Sequence, residues 1–137
     1  MSFLLDTVVV SEARKRRPDA GVRSWFDDVD GESLFLSALV LGEIRQGVER
    51  LARRDAAQAA VYRTFLAELR STYRDRVVDV DAEVAERWGQ LNALDPLPVV
   101  DGLLAATALV HELVLVTRNV AGVARTGVAY HNPFTAT

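Results

Sequence analysis

Phe3-Leu4-Leu5-Asp6, running on into Thr7-Val8-Val9-Val10, is the stretch on which the fold turns. Residues 3–6 read as a short buried strand, because so brief a continuous apolar run suits a strand covered on both faces. Val8, Val9 and Val10 then lead into a helical turn containing Ser11-Glu12-Ala13-Arg14. A carboxylate therefore stands at the carboxyl end of the first strand. Desolvating that charge is costly unless a cation, such as a metal ion, compensates it.

Outward from this stretch, a helix through Val22, Trp25 and Phe26 is followed by the polar loop 27–32 and a second strand at Leu34-Phe35-Leu36. Ser37 suits the N-cap of the next helix, whose Val40, Ile44, Val48 and Leu51 form an apolar stripe. A further helix, with Val61, Phe65, Leu66 and Leu69 as its expected buried face, runs to about Tyr73 and completes a helical hairpin over about 38–74. Residues 77–80 are expected as the third strand. Val84, Trp88 and Leu91 mark a helix that Asp95-Pro96-Leu97-Pro98 ends. The next helix starts near Val99 and carries Asp101-Gly102 ahead of the small residues Ala105, Ala106 and Ala108. Residues 113–117 are the fourth strand and 128–130 the fifth, at an edge. Strands alternating with helices predict an α/β fold, a three-layer α/β/α sandwich with a short central parallel sheet. One domain over 1–137 accounts for the whole chain.

Composition narrows the function. Half of the 137 residues are hydrophobic and 26% are charged, as in a folded globular protein. With no cysteine, disulfide frameworks, thiolate zinc sites and thiol nucleophiles are excluded. The early Asp6 and the lack of a long apolar run argue against secretion and membrane insertion, which fits a cytoplasmic protein. A net charge of -3 excludes nucleic-acid binding by bulk positive charge, so any such contact must be local. Fifteen of the sixteen cations are arginine, for which a bias in genome composition is a sufficient explanation.

In parallel sheets ligands gather at the carboxyl ends of the strands. That rule points to Asp6, to the helix bearing Glu43, and to Thr117-Arg118-Asn119. Taken singly, Asp101 reads as a helix cap and Glu43 as a surface partner of Arg50 or Gln46. Gly47, one turn after Glu43, suggests room for something approaching the backbone closely. Taken together, the topology brings Asp6, Glu43 and Asp101 to one edge, where crowded carboxylates repel unless a divalent cation neutralises them. Oxygen-only ligands favour a hard ion, magnesium or manganese, and phosphodiester hydrolysis is its natural chemistry.

Among the cations, Arg45 and Arg118 lie within two residues of proposed site positions and could each hold a phosphate as a fork. The run Arg14-Lys15-Arg16-Arg17 serves equally as a phosphate grip or a solvated helix end. His111 and His131 lack partner spacing, so a histidine mechanism is unsupported. Asp27, Asp28, Asp30 and Glu32 read as a solvated turn, and Trp25 and Trp88 as core or interface residues.

Four ordered motifs carry a resemblance: Leu4-Leu5-Asp6-Thr7, Ser37-Ala38-Leu39-Val40-Leu41-Gly42-Glu43, Asp101-Gly102-Leu103-Leu104-Ala105-Ala106-Thr107-Ala108, and Val116-Thr117-Arg118-Asn119. In order and spacing they resemble those of VapC-like toxins in the PIN-domain family, as does the ending Asn132-Pro133-Phe134. The resemblance implies a magnesium-dependent endoribonuclease, the toxin of a type II toxin-antitoxin system, with manganese as a substitute ion. It implies silencing by a cognate antitoxin, and dimers or higher complexes that reach operator DNA only through the antitoxin. Apolar surface expected on the hairpin also favours a homodimer.

By position, Asp6, Glu43 and Asp101 match the family's three metal ligands. Thr117 and Asn119 match the place where a fourth acid often falls, so Asn119 joins the catalytic set. Thr7, Arg45, Thr117 and Arg118 are the expected RNA contacts. Asn119 offers a carbonyl oxygen without charge, and Gly122 and Val8 also depart from the family pattern. Those departures keep open a catalytically weak or inactive module that binds a partner or RNA. A receiver-like signalling domain shares the layering, but its acidic pair, phospho-acceptor and late lysine are missing.

Overall fold

The computed structural model describes residues 1–135, so the last two positions of the expected 1–137 domain lie outside the described residues. Five parallel strands, β1 (Phe3–Leu5), β2 (Leu34–Ser37), β3 (Val77–Val78), β4 (Val114–Val116) and β5 (Tyr130–His131), stand in the order β3-β2-β1-β4-β5. The helices are α1 (Thr7–Ala13), α2 (Ala20–Asp28), α3 (Ala38–Ala52), α4 (Ala56–Thr72), α5 (Ala82–Leu94), α6 (Val99–His111) and α7 (Val120–Ala124), and they flank the sheet as an α/β/α sandwich. No helix among the described residues is long and apolar enough to cross a membrane.

β1 is the central strand, with Leu5 opposite Leu36 on one side and Val116 on the other. Leu4, Leu5, Leu36 and Val116 are fully buried, which is why this strand is apolar at every position until Asp6. From β1 the chain builds outward through β2 and β3, then returns to place β4 on the opposite side of β1. That reversal opens a crevice at the carboxyl ends of β1 and β4. The Asp6 N–H donates to the Val116 carbonyl at 3.0 Å, so the β1–β4 ladder extends to the acid itself.

Short polar side chains start most of the helices by accepting their free N–H groups. Asp6 does so for α1, Asp19 for α2, Ser37 for α3, Asp55 for α4 and Asp81 for α5. α6 begins after Pro98 without a side-chain cap, and Asp101 lies in its first turn. Asp101 is therefore not the capping residue that it resembles in isolation.

Three expectations need correction. Val61 does not join the buried face of α4: it is 49% exposed, while Ala59, Phe65, Leu66 and Leu69 are buried. The apolar spacing of that helix admits two phases, and Ala59 and Tyr73 select the other one. The third strand stops at Val78, because Val80 turns outward to 36% exposure. Gly47 makes room for a neighbouring helix, not for a ligand: a Cβ there would stand 2.8 Å from Cε2 of Tyr62 on α4. Urea unfolding should separate the two phases of α4. Leu66→Ala is expected to cost about 3 kcal/mol, and Val61→Lys to stay within about 0.5 kcal/mol.

The far end of the chain is fastened to α2. The Asp19 carboxylate accepts from the N–H groups of Gly21 (2.9 Å), Val22 (3.1 Å) and Thr135 (2.9 Å), and from the Thr135 hydroxyl. These bonds, the Thr135 hydroxyl foremost, hold the Asp19 carboxyl below its ordinary value of 3.8. An acid lowered in this way binds its proton more weakly when folded, so its contribution is complete above about pH 4 and fades as pH falls through the folded value. Protection of the Thr135 amide from hydrogen exchange should follow that course. Protection unchanged well below the unfolded value would show that Asp19 does not secure the segment.

Candidate active site

The crevice between β1 and β4 holds one continuous hydrogen-bond network drawn from distant parts of the chain. Asp6 Oδ1 accepts from the Thr7 N–H at 2.7 Å, and its Oδ2 from the Thr117 hydroxyl at 2.8 Å. The Thr7 hydroxyl donates in turn to Glu43 Oε1 at 2.5 Å, joining the start of α1 to α3. On the other side Thr117 Oγ1 accepts from the Asn119 N–H at 3.1 Å, and Asn119 Nδ2 donates to Asp101 Oδ2 at 3.1 Å. Asn119 Oδ1 accepts from the Gly122 N–H at 3.4 Å, which caps α7. The three predicted acids are thus linked through two threonines and an asparagine, and all six residues belong to the predicted site.

No lysine or arginine forms an ion pair with Asp6, Glu43 or Asp101 among the described residues. The acids face each other uncompensated. Burial pushes the Asp6 carboxyl above its ordinary 3.8; the Thr117 and Thr7 bonds pull it down, and the charges of Asp101 and Glu43 push it up again. Among the same residues Asp101 Oδ1 and Glu43 Oε2 accept no hydrogen bond and remain available as ligands. A cavity of about 430 Å³ is lined by Asp6, Thr7, Glu43, Asp101, Arg118 and Asn119, with the half-exposed Val8 as its apolar part.

An oxygen-only donor set with spare lone pairs and an excess of negative charge fits a hard divalent cation. No group of three or more acidic or histidine side chains among the described residues is set to hold one ion jointly. Magnesium does not need one, since it is commonly held by one or two carboxylates with water completing its shell.

Arg118 is brought to the site: it lines the cavity, and its guanidinium carbon lies 4.6 Å from the Phe134 ring centroid. Arg45 is not. Its Nε pairs with Glu49 at 3.0 Å on the solvent face of α3, an i,i+4 partnership visible in the sequence, and it does not line the cavity. Asn119 turns its amide nitrogen, not its carbonyl, toward Asp101. The Arg14 guanidinium stacks over Tyr62 and Phe65, so one member of the basic run covers the core. His131 lies against Trp25 at 5.8 Å, His111 is exposed, and Asp30 caps the short turn Gly31–Ser33.

Sequence reasoning missed a second, wider groove of about 760 Å³, which shares Glu43 and runs past Leu39, Gly42, Gln46, Asp79 and Val80. Only Glu43 and Asp79 are acidic there, so the smaller cavity carries the chemistry. Sequence reasoning also assigned no role to Phe134, for which the ending Asn132-Pro133-Phe134 was the one signal.

A short all-parallel sheet with acids from the end of β1, from α3 and from α6 gathered at its carboxyl edge defines the class: an α/β/α domain built around an acidic crevice. The chain belongs to the PIN-domain family, whose model matches residues 3–126. It is 29% identical over 137 residues to toxin FitB of Neisseria gonorrhoeae, covering 96% of this chain and 98% of the relative. It is 28% identical over 138 residues to VapC ribonuclease Y4jK of Sinorhizobium fredii, covering 96% and 97%. Among solved structures, a chain of FitAB bound to an IR36 DNA fragment superposes with a TM-score of 0.86 at 28% identity, covering 98% of this chain and 97% of that one.

Proposed function

We propose that this chain is a magnesium-dependent endoribonuclease and the toxin of a toxin-antitoxin pair. The observation that carries the reading is the crevice itself, where three carboxylates share one network and, among the described residues, no lysine or arginine forms an ion pair with them. Asp6, Glu43 and Asp101 are the candidate ligands: one or two of them would hold the ion directly and the others through its waters, with manganese as a substitute. When bound, such an ion supplies a water of lowered pKa for attack on a phosphodiester.

The residues around it have separate tasks. Thr7 and Thr117 orient the Asp6 and Glu43 carboxylates, Asn119 orients Asp101, and Arg118 offers a fork to a substrate phosphate. The names of the relatives, a toxin and a ribonuclease, support the same reading, as does the DNA-bound FitAB complex for the partners. On it, a cognate antitoxin silences the enzyme in the cytoplasm, a homodimer is the working unit, and operator DNA is reached only through the antitoxin. A single domain over 1–137 carries the activity. The amide at Asn119 favours a second reading, a weakly active module that mainly binds a partner or RNA.

Purified protein incubated with structured RNA should cleave it in magnesium, stop in chelator, and resume when magnesium or manganese is restored. Asp101→Ala should lose about a thousandfold in rate, roughly 4 kcal/mol of transition-state stabilisation. Equal cleavage by both proteins would reject the mechanism. Tight RNA binding without cleavage in either would favour the second reading.

A further inference from the structure

Arg118 lines a cavity rimmed by three carboxylates, yet among the described residues it pairs with none of them. Its guanidinium instead lies over Phe134, 4.6 Å from the ring centroid. The backbone that carries the ring is itself held. The Phe134 N–H donates to Asn132 Oδ1 at 3.0 Å, the next residue is bound by Asp19, and the Pro133 carbonyl packs tightly against Gly21. An arginine stacked on a ring face keeps the edge N–H donors of its fork available, and stacking cuts the rotamer freedom that a long side chain would otherwise lose on binding. Without the ring, an exposed arginine beside three acids would be drawn toward them and its charge spent within the protein.

We propose that Phe134 is a positioning residue of the active site: it holds Arg118 clear of the acidic cluster as an arm that grips a phosphate of the RNA substrate. The segment 132–135 then belongs to the substrate site, although it is remote in sequence from the metal-binding acids. This rests on the ribonuclease reading above.

The test is a double-mutant cycle on binding of a single-stranded oligoribonucleotide, measured in chelator so that no cleavage intervenes, with melting curves as folding controls. Arg118→Gln is expected to weaken binding about tenfold, the scale of a charge-assisted phosphate contact. Phe134→Leu should weaken it about threefold, the scale of an exposed cation-π contact, and Phe134→Tyr should restore it. In the Arg118→Gln background Phe134→Leu should have no further effect on binding. In magnesium, Phe134→Leu should raise KM and leave kcat in place, an outcome that general loss of structure would not give. Additive effects of the two substitutions, or an Arg118→Gln defect with none from Phe134→Leu, would overturn the inference and leave the nuclease reading standing. A wild-type protein that neither binds nor cuts RNA would overturn both.

Discussion

Replacing Asp6 with asparagine is expected to abolish RNA cleavage while raising the melting temperature of the metal-free protein. Asparagine keeps an acceptor for the Thr7 N–H, so the start of α1 survives. What it removes is a buried negative charge that faces two others. Because the Asp6 carboxyl is raised, the folded chain holds its proton more tightly than the unfolded chain does. The stability that this group contributes is therefore present at low pH and lost as pH rises through the folded value, so at neutral pH the ionised form weakens the apo protein. Melting in chelator should shift upward by a few degrees, about 1 kcal/mol for a domain of this size. In saturating magnesium the order should reverse, because the wild type, with its third carboxylate, gains more free energy from binding the ion. Cleavage should fall by about a thousandfold or more. A variant that melts below wild type in chelator would show that the protein already compensates this charge.

Gly21→Ala should give the largest loss of stability of the glycine-to-alanine changes, since its added Cβ makes the closest contact of any. The new Cβ would stand 2.3 Å from the Pro133 carbonyl oxygen and 3.0 Å from the Thr135 nitrogen. Both are backbone atoms, so no rotamer change relieves the clash, and either α2 or the segment over it must move. Overpacking of this kind costs about 1 to 3 kcal/mol, and here the Asp19 bonds to Thr135 would go with it. Gly47→Ala makes the informative control. Its nearest contact, Tyr62 Cε2 at 2.8 Å, belongs to a side chain that can swing away. Urea unfolding should therefore place Gly21→Ala well below Gly47→Ala. Equal losses would mean that the terminal segment yields freely and does not brace the site.

The parts of this molecule legible in its sequence are those set by local chemistry. Phe3-Leu4-Leu5 could only be a covered strand, Ser37 does cap the helix after it, and the 38–74 hairpin stands as α3 and α4. The six network residues were legible because strand ends and helix starts follow from topology. Long-range side-chain choices were not. Val61 and Phe65 look alike in a periodic pattern, and only the packing of Ala59 and Tyr73 decides between the phases. Gly47 answers to Tyr62 on another helix. Asp19 meets Thr135 across 116 positions, and nothing local in either residue announces the other. Arg45 was the avoidable error, since Glu49 stands four residues on.

The amide of Asn119 has a consequence for the life of the protein before it meets an ion. A fourth carboxylate at that place would face Asp101 with like charge, and the newly made chain would have to wait for its cofactor before this corner could close. The nitrogen of Asn119 supplies the donor that Asp101 needs, at 3.1 Å, so on the proposed reading this corner of the pocket closes without waiting for a metal ion. Were the chain held by an antitoxin as proposed, it could be stockpiled fully folded, its timing set by release and not by maturation.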